Sequence, residues 1–81
     1  STQRDFTVNI AISGIDTLGL VNEVTKVISN NHNIDMKSVN FESNDGVFSG
    51  KIKVIVKNIS ILKTLMEKLK KINGIDKVTR L

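Results

Sequence analysis

The chain has 81 residues, 40% of them hydrophobic and 25% charged, a balance that excludes a disordered profile and leaves material for one small core. It contains no Cys, which excludes a disulfide framework and a thiolate metal site. The formal charge of +4 admits a nucleic-acid partner, but much of it comes from Lys63, Lys68, Lys70 and Lys71, and these read more simply as the solvated face of a helix.

Phe6, Val8, Ile10 and Ile12 alternate with Thr7, Asn9, Ala11 and Ser13, which is the period of a half-buried strand. This first strand is expected to end at Gly14. A segment with Gly14, Asp16, Thr17 and Gly19 then leads into Leu20, Val24, Val27 and Ile28 at helical spacing. Asp16 or Thr17 is expected to cap this helix, and the Asn residues around His32 are expected to stop it. From Asn33 the pattern is extended again, with Ile34 and Met36 on one parity and Val39 and Phe41 on the other, which predicts a bulge or twist in the second strand.

Ser43, Asn44, Asp45 and Gly46 lie between two extended runs and predict a hairpin. In the third strand Phe48, Ile52, Val54 and Val56 share one face, and Lys51, Lys53 and Lys57 take the other with Ile55 among them. Asn58 or Ser60 is expected to cap a second helix with an apolar stripe at Leu62, Leu65, Met66, Leu69 and Ile72. Gly74 is expected to stop that helix in a left-handed conformation. A short last strand runs from about Val78 to Leu81.

The order strand, helix, strand, strand, helix, strand predicts an α+β, ferredoxin-like βαββαβ sandwich. Its sheet would be four-stranded and antiparallel in order 4-1-3-2, with two helices on one face. Strand two then lies on an edge with apolar residues on both parities, which predicts a side-by-side homodimer through that edge.

No catalytic constellation is apparent. His32 has no second ligand at metal spacing and reads as a capping or surface residue, and the eight carboxylates show no acid and base pair. No metal and no cofactor are expected. A metallochaperone of this fold would need paired Cys, an RNA-recognition motif would need stacking aromatics on the open face, and an acylphosphatase-like hydrolase would need a phosphate-cradling Arg in the first loop. None of these is present, although Lys51, Lys53 and Lys57 leave phosphate contacts open.

The segment from Gly14 to Gly19 is the most informative. Two glycines flank an acidic residue at a helix start, so backbone amides suit a carboxylate and Asp16 suits an amino group. The same residues also suit a tight turn with an N-cap.

The run GIDTLGLVNEVTKVIS from Gly14 to Ser29, NID from Asn33 to Asp35, and KKINGIDKVTR from Lys70 to Arg80 resemble an ACT domain. More closely they are similar to the C-terminal ACT domain of RelA/SpoT-type guanosine tetraphosphate synthetases and hydrolases, which are GTP pyrophosphokinases of the bacterial stringent response. The resemblance implies a non-catalytic regulatory domain spanning residues 1–81, a C-terminal fragment of a larger enzyme. That the chain starts at Ser1 and enters a strand pattern almost at once fits the same expectation. It implies a ligand site, for an amino acid, at Gly14, Ile15, Asp16, Thr17, Leu18, Gly19, Leu20 and Val21, with Asn33 and Ile34 opening strand two. Many relatives carry Arg where Thr17 stands here, so this loop lacks that cation. Contact with a ribosome and tRNA, or regulation of an amino-acid metabolic enzyme, is the alternative role. No apolar run approaches the roughly 20 residues that cross a bilayer and no signal peptide is evident, so no membrane partner and a cytoplasmic location are expected.

Overall fold

The structure is a computed structural model that describes residues 5–81; Ser1 to Arg4 of the expected domain lie outside the described residues. Its elements are β1 (Phe6–Ile15), α1 (Leu20–Ser29), β2 (Ile34–Asn44), β3 (Val47–Val56), α2 (Ile59–Lys70) and β4 (Ile75–Arg80). The four strands form one antiparallel sheet in the order β2-β3-β1-β4, which is the order expected from the sequence, read from the other edge.

The sheet alternates as its sequence does. Val8, Ile10 and Ile12 of β1 and Phe48, Ile52, Val54 and Val56 of β3 are buried on one face, where Leu20, Val24 and Ile28 of α1 and Leu62, Leu65 and Leu69 of α2 cover them. Covering these apolar groups removes water from a single continuous core, the main source of stability in a chain this short. The other face carries no helix.

The predicted bulge is present, with the β2 to β3 register shifting between Met36 and Ser38. This shift lets Met36 and Val39 both pack against the core despite their opposite parity. The hairpin turns on Asp45 and Gly46, both with positive φ (53° and 80°), as a two-residue type I′ connection requires.

Several boundaries differ from the sequence reading. β1 continues through Gly14 to Ile15, because Ile15 still pairs with Val47. α1 ends at Ser29, and the chain turns through Asn31, whose side chain accepts from the Asn33 amide. α2 ends at Lys70, so Ile72 packs against the core from the following turn and not from the helix. Gly74 is left-handed (φ 100°) but lies beyond that turn, leading into β4, which starts at Ile75.

Asn58 caps α2 as expected, accepting from the Ile61 amide at 2.9 Å. Ser60 lies inside the helix and uses its carbonyl to accept from Thr64.

At Gly14 the end of β1 passes close against Gly74, just before β4. A Cβ added there would lie 1.9 Å from the Gly74 carbonyl oxygen, and the β1 to β4 register shifts between Ser13 and Gly14. Gly14→Ala is expected to destabilise the fold by about 1–3 kcal/mol, the usual cost of forcing atoms into a filled space. A urea midpoint equal to that of the parent chain would refute the close contact. Asn58→Ala should cost about 1 kcal/mol through the lost cap, seen as a lower midpoint with an unchanged slope.

Candidate functional site

Gly14 through Val21 cross from the end of β1 to the first turn of α1. Backbone hydrogen bonds fix the loop on both sides: the Ile15 amide donates to Gly74 at 2.8 Å, and the Asp16 amide donates to Gly46 at 2.9 Å. The loop is thus clipped to the α2–β4 turn and to the β2–β3 hairpin.

Neither Asp16 nor Thr17 caps α1. The N-cap is Gly19, left-handed at φ 80°, with no side-chain cap. Asp16 is turned away instead, and its carboxylate accepts a hydrogen bond from the Ser43 hydroxyl at the end of β2. A side chain engaged across the sheet is not available to the helix start, and glycine reaches the left-handed turn without a Cβ penalty.

The loop's amides divide into used and free. Those of Ile15, Asp16 and Leu20 are bonded to Gly74, Gly46 and Thr17. Those of Thr17, Leu18, Gly19, Val21 and Asn22 meet no acceptor among the described residues, and they surround the positive end of α1, where an anionic group is favoured. Around them stand exposed apolar side chains: Leu18 is fully exposed, Ile15 and Val47 are more than half-exposed, and Val21 is somewhat less than half-exposed. Free donors ringed by apolar surface suit a ligand that carries both a carboxylate and an aliphatic group.

The loop has two sides. One faces α1, where Asp16 through Asn22 and Thr25 form a shallow pocket. The other faces the end of α2, where Thr17, Leu18 and Leu20 share a groove with Glu23, Lys68, Lys71, Ile72 and Asn73. Lys68 and Lys71 are exposed as the sequence reading expected, yet they also line this groove. Sequence reasoning missed Glu23, Ser43 and Asn73. Ser43 carried only a turn signal, and no local pattern showed that α2 ends beside the first loop.

Asn33 and Ile34 do not join the loop. Ile34 is buried and pairs with Val56, which pairs with Phe6 at the start of β1, whereas Gly14 sits opposite Phe48. Phe6 and Gly14 are eight strand residues apart, roughly 26 Å at about 3.3 Å per residue. The expected site residues therefore occupy opposite ends of the sheet within one chain.

Among the described residues no cluster of His, Cys, Asp or Glu could hold a metal, and no helix is long and apolar enough to cross a membrane.

The fold and this loop define a recognisable class. A model of the ACT domain family matches residues 2–80. The chain belongs to the ACT domain family, whose members are regulatory, non-catalytic modules that commonly dimerise and bind small ligands. Among solved structures it is similar to the ACT domain from GTP pyrophosphokinase of Chlorobium tepidum, with 37% identity over 96% of this chain and 100% of that one, and a TM-score of 0.89. The solution structure of that bacterium's domain gives 38% identity over 95% of this chain and 86% of the other, and a TM-score of 0.83. An ACT domain protein from Streptococcus pneumoniae, at 17% identity over 93% of this chain and 86% of that one (TM-score 0.71), shares the fold alone. No curated protein matches the chain.

Ser43→Ala removes the tie between β2 and Asp16. It is expected to speed hydrogen exchange of the Asp16 amide several-fold while that of Leu65, in the core of α2, stays unchanged. An unaltered Asp16 rate would show that the bond to Gly46 alone holds the loop.

Proposed function

We propose that this chain is the regulatory ACT module of a RelA/SpoT-type GTP pyrophosphokinase, that it pairs with a second copy through the β2 edge, and that it senses a small ligand, an amino acid, at the junction of the two copies. The observation that carries the reading is the division of the site. The loop from Gly14 to Val21 lies at one end of the sheet, and Asn33 and Ile34 lie at the other.

A two-fold pairing of β2 with its copy is antiparallel. It sets the start of one β2 beside the end of the other, so Asn33 of the partner subunit approaches Ser43 and, through it, Asp16. The site becomes whole only across the pair.

The edge itself supports pairing. β2 is eleven residues long with no neighbour on its outer side, and Met36, Val39 and Phe41 remain half-buried at the rim of the core. A long edge with apolar rim residues is a template for a further strand. The one ion pair among the described residues, Lys37 to Asp35 at 3.0 Å, lies on this strand and leaves neither charge alone there.

The chemistry of the loop supports an amino-acid ligand. Free amides at the start of α1 take the carboxylate, Asp16 takes the ammonium, and Leu18, Val21 and Ile15 border an aliphatic side chain. The similarity to a GTP pyrophosphokinase domain supports the parent enzyme. In such a parent, pyrophosphate transfer from ATP to GTP or GDP, and hydrolysis of the product, belong to other domains in the cytoplasm. This module biases them by binding ligand better in one arrangement than in another.

The test is a heteronuclear NMR titration with branched-chain and other amino acids, with hydrodynamic size recorded alongside. Saturable shifts at Gly14 through Val21 and at Asn33, in a dimer, are expected. Val39→Lys places a charge on the pairing rim and, because Val39 also packs against the core, should lower the urea midpoint. Without denaturant it should yield a monomer that keeps the parent fold's amide fingerprint away from β2, with ligand affinity reduced at least about tenfold, as befits a site that needs the dimer. A monomer that binds with unchanged affinity would overturn the shared site, and a dimer indifferent to every amino acid would overturn the sensing role.

A further inference from the structure

The helix-free face of the sheet holds a second group of polar side chains that the loop does not use. β1 runs between β3 and β4 there. Ser13 lies opposite Ser49 on one side and Lys77 on the other, and Ala11 lies opposite Lys51 and Thr79. Residues two apart on a strand share a face, so these six side chains form one grid of two adjacent rows centred on β1. They also line a common open trough.

We propose that this grid is a binding site for a phosphate-type oxyanion on a small molecule, a phosphomonoester or a pyrophosphate, distinct from the loop site. Lys51 and Lys77 stand at opposite corners, on strands roughly 10 Å apart at about 4.8 Å per strand spacing. Flexible lysine stems let both ammonium groups converge over the centre. The floor is low, because Ala11 contributes only a methyl group. The hydroxyls of Ser13, Ser49 and Thr79 form no hydrogen bond with any described residue, so each is free to donate to an oxygen.

Lysine and hydroxyl donors converging from three strands are the chemistry that holds a phosphate. Ala and Ser contribute little to strand stability at a central position where Thr or Val would contribute more, so strand propensity does not account for them.

The charge of the face agrees. Glu42 lies beyond Ser49 in the same row, and Lys53 adjoins Lys51 along β3. Lys51, Lys53 and Lys77 outnumber Glu42 and the terminal carboxylate of Leu81, which also lines the trough, so the net charge over the grid is positive. Lys57, which the sequence grouped with Lys51 and Lys53, falls after the end of β3 and takes no part.

Inorganic pyrophosphate is the probe, titrated into the isotopically labelled chain at constant ionic strength. Saturable shifts are expected at Ala11 to Ser13, Ser49 to Lys51 and Lys77 to Thr79, on residues separate from those of the amino-acid titration. The Lys51→Gln and Lys77→Gln double variant should keep the parent fingerprint elsewhere and lose affinity at least about tenfold, since two charged hydrogen bonds are removed. Ser13→Ala provides a second, uncharged variant, with a smaller loss expected. The proposal is overturned if chloride reproduces the shifts, if the double variant binds equally well, or if pyrophosphate is inert while a short RNA strand shifts these residues. Because the two sites share no residue, failure here leaves the loop reading untouched, and failure of the loop reading leaves this one.

Discussion

The close passage of Gly14 against Gly74 is the contact on which the arrangement of the candidate site depends. Its cause is spatial: there is no room for a side-chain carbon at Gly14, and the Gly74 carbonyl is held at 2.8 Å by the Ile15 amide. A backbone amide enclosed at such a junction needs a partner, and meeting that need ties the end of β1 to the turn before β4. The Asp16 bond to Gly46 does the same on the hairpin side. With both flanks fixed, the short arc from Thr17 to Gly19 and the first turn of α1 at Val21 and Asn22 keep their amides free. A loop so constrained presents donors without first having to be ordered, and that lowers the entropic cost of holding a ligand.

The sheet is unequal in its faces and its edges. One face buries all the core, and the other is polar from Thr7 through Ser13 on β1 and from Ser49 through Lys53 on β3. Of the two edges, β4 spans six residues and β2 eleven. A short edge offers few unpaired backbone groups, whereas a long one offers a full row. The βαββαβ topology thus leaves a long unpaired edge and an open face without helices on the same molecule.

In a site shared between copies, ligand binding and association become one equilibrium. A ligand held only by the pair stabilises the pair by mass action, and a pair already formed binds the ligand more tightly. A regulatory module needs no chemistry of its own for this. It needs two arrangements that differ in affinity, and an attachment through which a neighbouring domain experiences the difference.

The sequence by itself determined the element order, the face of each strand that is buried, the irregularity in β2, a hairpin within Ser43 to Gly46, and a cap for α2 at Asn58 or Ser60, between which the structure chose Asn58. These are written in local alternation, spacing and turn chemistry, which act over a few residues. It also marked the loop from Gly14 to Val21 as the place of interest. Only the tertiary structure decided that Asp16 reaches Ser43 and not the start of α1, because Ser43 lies 27 positions away and no local pattern encodes that distance. The same holds for Gly14 against Gly74, for Lys68 and Lys71 beside the first loop, and for Asn33 lying at the far end from Gly19. Periodicity states which way a side chain faces; what it faces is set by strand order and register, and these arise when the whole chain closes on one core.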